Sequence, residues 1–467
     1  MSVIIIQIGQ CGNQLGLTFF KDLIKEANSS CESVKYNIFN NFFHVNTNLL
    51  YKLENKLIAN AILIDMESKV IDNCFKESKL NKFNYCETYV IKKQSGSGNN
   101  WANGFLNHGP SIEEDFVNKM SLLIDTIDSY KNNLLGASCV DSVLVINSLA
   151  GGTGSGLGAY VNILLNDYFP NLNLYSINFW PSNTGEVVVN SYNTLLSISE
   201  SYKAVDLMII FKNQKLFDTC KSIFKINKIN YDHINSIASR QLLSCFIPVI
   251  ESENNIENSK LNIWSVTDNY KSTVSRVCKA ISVDCKFKLS NIICNPEIPD
   301  DQVTFNNDSW SSLIKENNEN IFYNYSTKEI DSLDNQNTSS SNKLNKFNKF
   351  KTKKEFDYTY IIKSESRIKY MTMIFRGQDL DNVPLINNNK INILKTSHNF
   401  KNIQKHLSYL INSDFLNNNM NNTIDKASLM LNSKVFTHHY YKYGLEYADF
   451  TNSLSFCNQI IYDYINN

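Results

Sequence analysis

The stretch "VDSVLVINSLAGGTGSGLGAYVNILLNDYF", residues 140 to 169, limits the possible folds more than any other. A β-branched apolar run of strand length enters a loop with five glycines between positions 151 and 158, and a helix-spaced apolar pattern leaves it. A glycine loop between a buried strand and a helix suits phosphate, because backbone N–H groups converge there and the helix dipole favours negative charge. Gly151, Gly152, Gly154 and Gly156 let the backbone close on phosphate oxygens, and Ser148, Thr153 and Ser155 add hydroxyls. A Walker loop is excluded, since no lysine follows the glycines. Gly154, Gly156 and Ala159 fit a dinucleotide pattern, but the next strand, "SINFWP", lacks the required acid. A glycine-rich turn with no ligand is the plain alternative, disfavoured by the entropy of ordering so bare a backbone.

The same rhythm of apolar strand and helix recurs in "SVIIIQIG", "NAILIDME", "LNLYSINFWP" and "VDLMIIFKN". Strands that are apolar throughout and alternate with helices indicate an α/β, doubly wound parallel sheet covered on both faces. Four regions follow: a nucleotide-type domain over 1–220, a core spine helix over 221–246, an intermediate α+β domain over 247–385, and a C-terminal helical region over 386–467. Residues 316–356, rich in Asn, Ser and Lys, read as a disordered insertion. Its basic end, Lys346 to Lys354, reads as a solvated run before it reads as a contact for an acidic partner.

Composition narrows the partners. With 45 basic and 45 acidic residues the net charge is zero, so no nucleic-acid or anionic-membrane partner is expected. No apolar run reaches the ~20 residues of a membrane span, and "MSVIIIQIGQ" has no leader pattern, so a cytoplasmic protein is expected. Eleven scattered cysteines without a C-x-x-C pair fit reduced thiols, and adjacent His438 and His439 lack the i, i+4 spacing of a metal pair.

Several motifs resemble one family. "AGGTGSG" resembles the signature of tubulins and their bacterial cell-division relatives, and "IQIGQCGNQLG" is similar to the tubulin amino terminus. "ILIDMESKVID", "QSGSGNNWANG", "TGEVVVNSYNTLL" and "KNQKLFDTC" resemble, in order, the tubulin acidic loop, third phosphate loop, ribose loop and the start of the base-binding helix. The resemblance is close to about residue 245 and is one of pattern beyond. It implies a site for GTP or GDP with Mg²⁺. Gln10 and Cys11 would face the phosphates, with Gln14 near the base. Glu67, with Asp65 close by, would hold Mg²⁺ through water. Gly98 and Asn99 would close on the γ-phosphate side, and Ser148 with Gly151, Gly152, Thr153 and Gly154 would wrap the remaining phosphates. Asn213 and Asn235 would read the guanine edge, Tyr231 would stack on its ring, and Asn190 would take the ribose position that α- and β-tubulins give to a glutamate.

Within the family, "FWPSNTGEVVVNSYN" is most like the δ class. That class implies a cytoskeletal protein of centrioles or basal bodies, linked to triplet microtubules and partnered by tubulin-family subunits, microtubule ends or centriole proteins. Hydrolysis in the family needs an acid from the neighbouring subunit. In this chain Leu261 falls at the acid's own position, with Glu257 nearby but unaligned, and the ending "FCNQIIYDYINN" lacks an acidic tail. A structural nucleotide is therefore the leading expectation, and a GTP-hydrolysing subunit copolymerising with α/β-tubulin is the alternative.

Overall fold

The computed structural model describes residues 1–45, 57–131, 138–182, 188–250, 271–299, 308–326, 367–384, 386 and 388–466. Its strands are β1 (Ser2–Ile8), β2 (Phe43–Val45), β3 (Leu57–Ala59), β4 (Ala61–Asp65), β5 (Val90–Lys92), β6 (Val140–Ser148), β7 (Asn173–Trp180), β8 (Leu207–Lys212), β9 (Leu289–Asn295), β10 (Ile368–Gly377), β11 (Ile391–Thr396) and β12 (Lys405–Ser413). Ten of them form one sheet in the order β11-β10-β12-β9-β8-β7-β6-β1-β4-β5, and β2 and β3 pair separately. From β5 to β8 every pairing is parallel, as the apolar strand runs require.

Strand β1 shows why. Ile4, Ile6 and Ile8 enter the core on one face, and Val3 and Ile5 enter the core on the other, so the two-residue period buries both sides. The first face is covered by α4 (Gly109–Tyr130), α5 (Gly158–Tyr168), α6 (Asn190–Ala204) and the C-terminal helices Asn417–Asn432 and Tyr447–Asn466. The second is covered by α1 (Gly9–Ser29), α2 (Glu32–Phe42), α3 (Ser68–Leu80), α8 (Tyr231–Phe246) and α9 (Thr273–Lys279). The α/β doubly wound class expected from the sequence is the class observed.

Three expectations about the organisation change. The region 386–467, expected to be helical, opens with β11 and β12; the strands beyond β8 extend the first sheet, β9 joining β8 through Met208↔Leu289 and Ile209↔Ser290 and β12 running antiparallel to both β9 and β10. The spine helix is shorter than 221–246, because α7 (Asn213–Ser222) ends inside that range and Asn230 starts a new helix at Tyr231. Residues 316–326, assigned to the insertion, are the second half of α10 (Trp310–Ser326). Trp310, Leu313, Ile314 and Ile321 recur at helical spacing and are buried against β10 and β12, a period hidden by the polar residues between them. The rest of the insertion, 327–356, lies outside the described residues, as do the strand candidate at 357–364, the ribose-loop residues 183–187, and Glu257 and Leu261.

Candidate functional site

Strand β1 lies between β4 and β6, so the chain builds outward in one direction and then crosses to the other side. In an open parallel sheet this reversal opens a crevice at the carboxyl ends of the strands. The loops after β1, β4, β5 and β6 all leave from that edge.

The loop after β1 meets the glycine loop directly. Gly9 has φ +69°, and a Cβ there would lie 3.2 Å from the Gly154 nitrogen. At Gly12 a Cβ would stand 2.1 Å from the Ile146 carbonyl oxygen, so the first turn of α1 approaches β6 as only glycine permits. Gln10 is exposed on this turn, and Cys11 and Gln14 are half-buried. Burial pushes the Cys11 thiol up to about 12, which keeps it a protonated S–H rather than a thiolate nucleophile.

From beneath, two strand asparagines hold the glycine loop. Asn147 and Asn178 are register partners on β6 and β7; Asn178 donates to Asn147 Oδ1 at 2.8 Å, and Asn147 Nδ2 donates to the Gly154 carbonyl at 2.8 Å. The Ser155 hydroxyl donates to the Gly151 carbonyl, and Ser197 Oγ donates to the Ser155 carbonyl at 3.2 Å. Ser148 Oγ accepts from the Ala150 N–H at 3.3 Å. The loop then enters a π-helical turn, Thr153–Leu157, that leads into α5.

A second π-helical turn, Asn103–His108, faces the first. A Cβ on Gly104 would be 2.5 Å from the Gly152 carbonyl oxygen, and one on Gly156 would be 2.2 Å from the Trp101 carbonyl oxygen. The loop before this turn is fastened across by Ser97 Oγ to Thr153 Oγ1 at 2.9 Å. Gly98 and Asn99 are consecutive left-handed residues, with φ +57° and +52°. Asn99 is exposed, and nothing lies within 4 Å of the place a Gly98 Cβ would take.

Asp65, at the end of β4, is buried. Its Oδ1 accepts from the Glu67 N–H at 3.3 Å, and its Oδ2 has no partner. Burial, with a smaller push from the Glu67 charge, raises the Asp65 carboxyl to about 6. Glu67 is exposed beside the third loop, its Oε1 3.0 Å from where a Gly96 Cβ would stand. An unpartnered buried carboxylate oxygen next to an exposed carboxylate suits a hard divalent cation that keeps some of its waters.

Of the other residues singled out in the sequence, Asn190 and Asn213 stand farther along the same edge, and Tyr231 and Asn235 lie on α8. Asn190 opens α6 after β7, half-buried, with its Oδ1 unpartnered. Asn213 opens α7 directly after β8. Tyr231 is 63% exposed, and Asn235 is buried one turn on along α8, which packs beside α1. The helices that begin at Gly9, Asn190 and Asn213, like the turn that begins at Thr153, have no side-chain cap. Helices α8 and α9 are capped by Asn230 and Ser272. N–H groups of helix starts at this edge have the polarity that suits an anion.

Sequence reasoning missed the asparagines that hold the loops. Asn147 and Asn178 were legible as polar interruptions in apolar strands. Asn193, whose buried side chain bridges Asn99 and Ala150, had no such signal, since it sits among other polar residues of α6.

Residues 2–221 match the model described as Tubulin/FtsZ family, GTPase domain. Residues 2–221 belong to the Tubulin/FtsZ family. It is similar over its whole length to the tubulin delta chain of Canis lupus familiaris, at 28% identity over 100% of both chains, and to that of Homo sapiens, at 27% over 100% of both. The tubulin delta chain of Mus musculus is 26% identical over 99% of each chain. Over its whole length the chain is therefore similar to delta tubulins, and its matched domain implies GTP or GDP as ligand. The match ends in α7, so Tyr231 and Asn235 lie beyond the matched GTPase domain. Among the described residues no helix is long and apolar enough to cross a membrane.

Proposed function

We propose that this δ-tubulin-like chain holds GTP or GDP with Mg²⁺ at the crevice above β1 and β6, and acts in assembly with other tubulin-family subunits. The meeting of three loops around Gly151–Gly154 carries the reading, because it gathers backbone N–H groups and hydroxyls at the carboxyl edge of the parallel strands. Gln10, Cys11, Ser148, Gly151, Gly152, Thr153 and Gly154 surround the phosphates, with Gly98 and Asn99 closing on the γ-phosphate side. Asp65 and Glu67 hold Mg²⁺, which supplies charge neutralisation for the phosphates. Asn190 accepts from the ribose, for which its unpartnered Oδ1 is suited. Asn213 and Asn235 read the base, with Gln14 near it, and Tyr231, mostly exposed, stacks on it. The cellular role follows the δ class: a cytoskeletal protein of the centriole or basal body that supports triplet microtubules through centriole partners and microtubule ends.

Equilibrium binding of labelled GTP and GDP to the purified chain tests the reading, with ATP as competitor and with Mg²⁺ replaced by EDTA. Saturable binding, displaced by unlabelled GTP but not by ATP and weakened by EDTA, is the expected result. Equal displacement by ATP would remove the guanine assignment. Turnover of the bound GTP only on adding α/β-tubulin would favour a copolymerising GTPase over a structural nucleotide.

A further inference from the structure

Asn193 has no exposed surface, and its side chain makes four hydrogen bonds that use every polar hydrogen and both lone pairs of the amide. Nδ2 donates to the Asn99 carbonyl at 2.8 Å and to the Ala150 carbonyl at 2.7 Å. Oδ1 accepts from the Trp101 N–H at 3.0 Å and from the Tyr440 hydroxyl at 2.6 Å. The donor pattern fixes the amide orientation, because the flipped form would face carbonyls with oxygen and donors with nitrogen. One side chain thus spans the loop at 97–101, the glycine loop and the short helix Thr437–Tyr441 near the C-terminal end.

A second carboxamide makes a parallel link. Asn100 Nδ2 donates to the His439 carbonyl at 2.9 Å, and its Oδ1 accepts from the Asn103 N–H at 3.3 Å. The same C-terminal segment is pinned by the Tyr192 hydroxyl, which donates to the Val435 carbonyl at 3.2 Å, and by packing of Tyr192, Tyr440 and Phe450. His438, His439 and Tyr441 are exposed on the outer side of this segment.

We propose that Asn193 is a positioning residue that sets the spacing of the two phosphate-facing loops, and that through Tyr440 it couples nucleotide binding to the order of the outward-facing segment 435–441. The inference rests on the nucleotide reading above. Its physical basis is linkage: a ligand that clamps Asn99 and Ala150 favours the amide position that Tyr440 also favours, so each end stabilises the other. Both residues are fully buried behind the loops. Asn193→Asp keeps the acceptor for Trp101 and Tyr440 but turns an oxygen toward two carbonyls. Tyr440→Phe keeps the ring packing and removes one donor.

The test combines GTP affinity with amide hydrogen exchange on the full chain, with and without GTP. In the unaltered chain, GTP slows exchange across 435–441. Asn193→Asp weakens GTP binding by about tenfold or more, and Tyr440→Phe by several-fold, as expected for lost buried hydrogen bonds; in both, the protection of 435–441 by GTP shrinks. A residue that only stabilised the fold would lower the melting temperature without uncoupling that protection. If the unaltered chain binds GTP and exchange at 435–441 is the same with and without it, the coupling is wrong. Should Asn193→Asp fail to fold, Tyr440→Phe decides: GTP affinity and protection equal to the unaltered chain overturn the proposal. Failure of the unaltered chain to bind any guanine nucleotide would instead overturn the nucleotide reading.

Discussion

At the residue scale the site depends on the absence of side chains at particular points. Gly156 and Gly151 make opposite cases in the same loop. A Cβ on Gly156 would meet the Trp101 carbonyl oxygen at 2.2 Å and the Phe105 nitrogen at 2.9 Å, both backbone atoms with no room to give. At Gly151 nothing lies within 4 Å. Gly156→Ala is expected to cost about 2 kcal/mol or more and to abolish nucleotide binding. Gly151→Ala should melt within about 0.5 kcal/mol of the unaltered chain while weakening nucleotide binding, because only the ligand approaches that backbone. Thermal melts paired with GTP titrations check both; equal melting temperatures for the two variants would contradict the packing described. The glycine pattern was legible in the sequence, since spacing between strand and helix identifies such a loop. Which glycine guards a protein contact and which faces open space was not legible, because the opposing π-helical turn at Asn103–His108 comes from a distant part of the chain.

Among the elements, α8 is the clearest case of a local signal and its limits. Ile234, Ile237, Ala238, Leu242 and Phe246 are all buried, as the sequence period requires. Its start at Tyr231 is set by a capping box: Asn230 Oδ1 accepts from the His233 N–H at 3.0 Å, and the Asn230 N–H donates to His233 Nδ1 at 3.2 Å. Histidine in the position usually held by Glu or Gln hides this cap from a pattern search. Asn230→Ala is expected to cost about 1 kcal/mol in denaturant unfolding and to weaken guanine binding slightly by loosening the turn that carries Tyr231. An unchanged unfolding midpoint would show that the cap is idle. Helix α10 shows the reverse difficulty: its apolar residues are too widely separated by Asn, Ser and Glu to stand out, and their burial against β10 and β12 reveals the period.

For the molecule as a whole, the two sheet regions are joined by side chains as well as by strand pairing. Arg376 of β10 is fully buried at the end of α8, donating from Nε to the Ser244 carbonyl at 2.9 Å, from Nη2 to that of Ile247 at 2.6 Å and from Nη1 to that of Pro248 at 3.3 Å. These are carbonyls a helix terminus leaves open, answered from another region of the chain. Arg376→Met should destabilise by about 3 kcal/mol and separate one unfolding transition into two, read by calorimetry. Nearby His406 is fully buried, and burial, with the positive charges of Arg240, Arg376 and Lys401, holds its pKa well below the usual 6.5. It is neutral in the folded protein, whereas the unfolded chain takes up a proton below pH 6.5. Its contribution is therefore complete above pH 6.5 and is lost on acidification, at up to about 1.4 kcal/mol per pH unit. His406→Leu should flatten the fall in melting temperature between pH 7 and pH 5; an unaltered slope would exclude the assignment. The parallel half of the sheet was legible from its apolar runs. Its continuation through β9 was not, because a two-pair junction leaves no pattern in sequence. The measurement that bears most directly on the whole account is identification of the nucleotide carried by the purified chain, by denaturing extraction and chromatography, followed by loading if none is found. Recovery of GTP or GDP near one per chain is the expected result, and a chain that carries no guanine nucleotide and cannot be loaded with one in Mg²⁺ would contradict it.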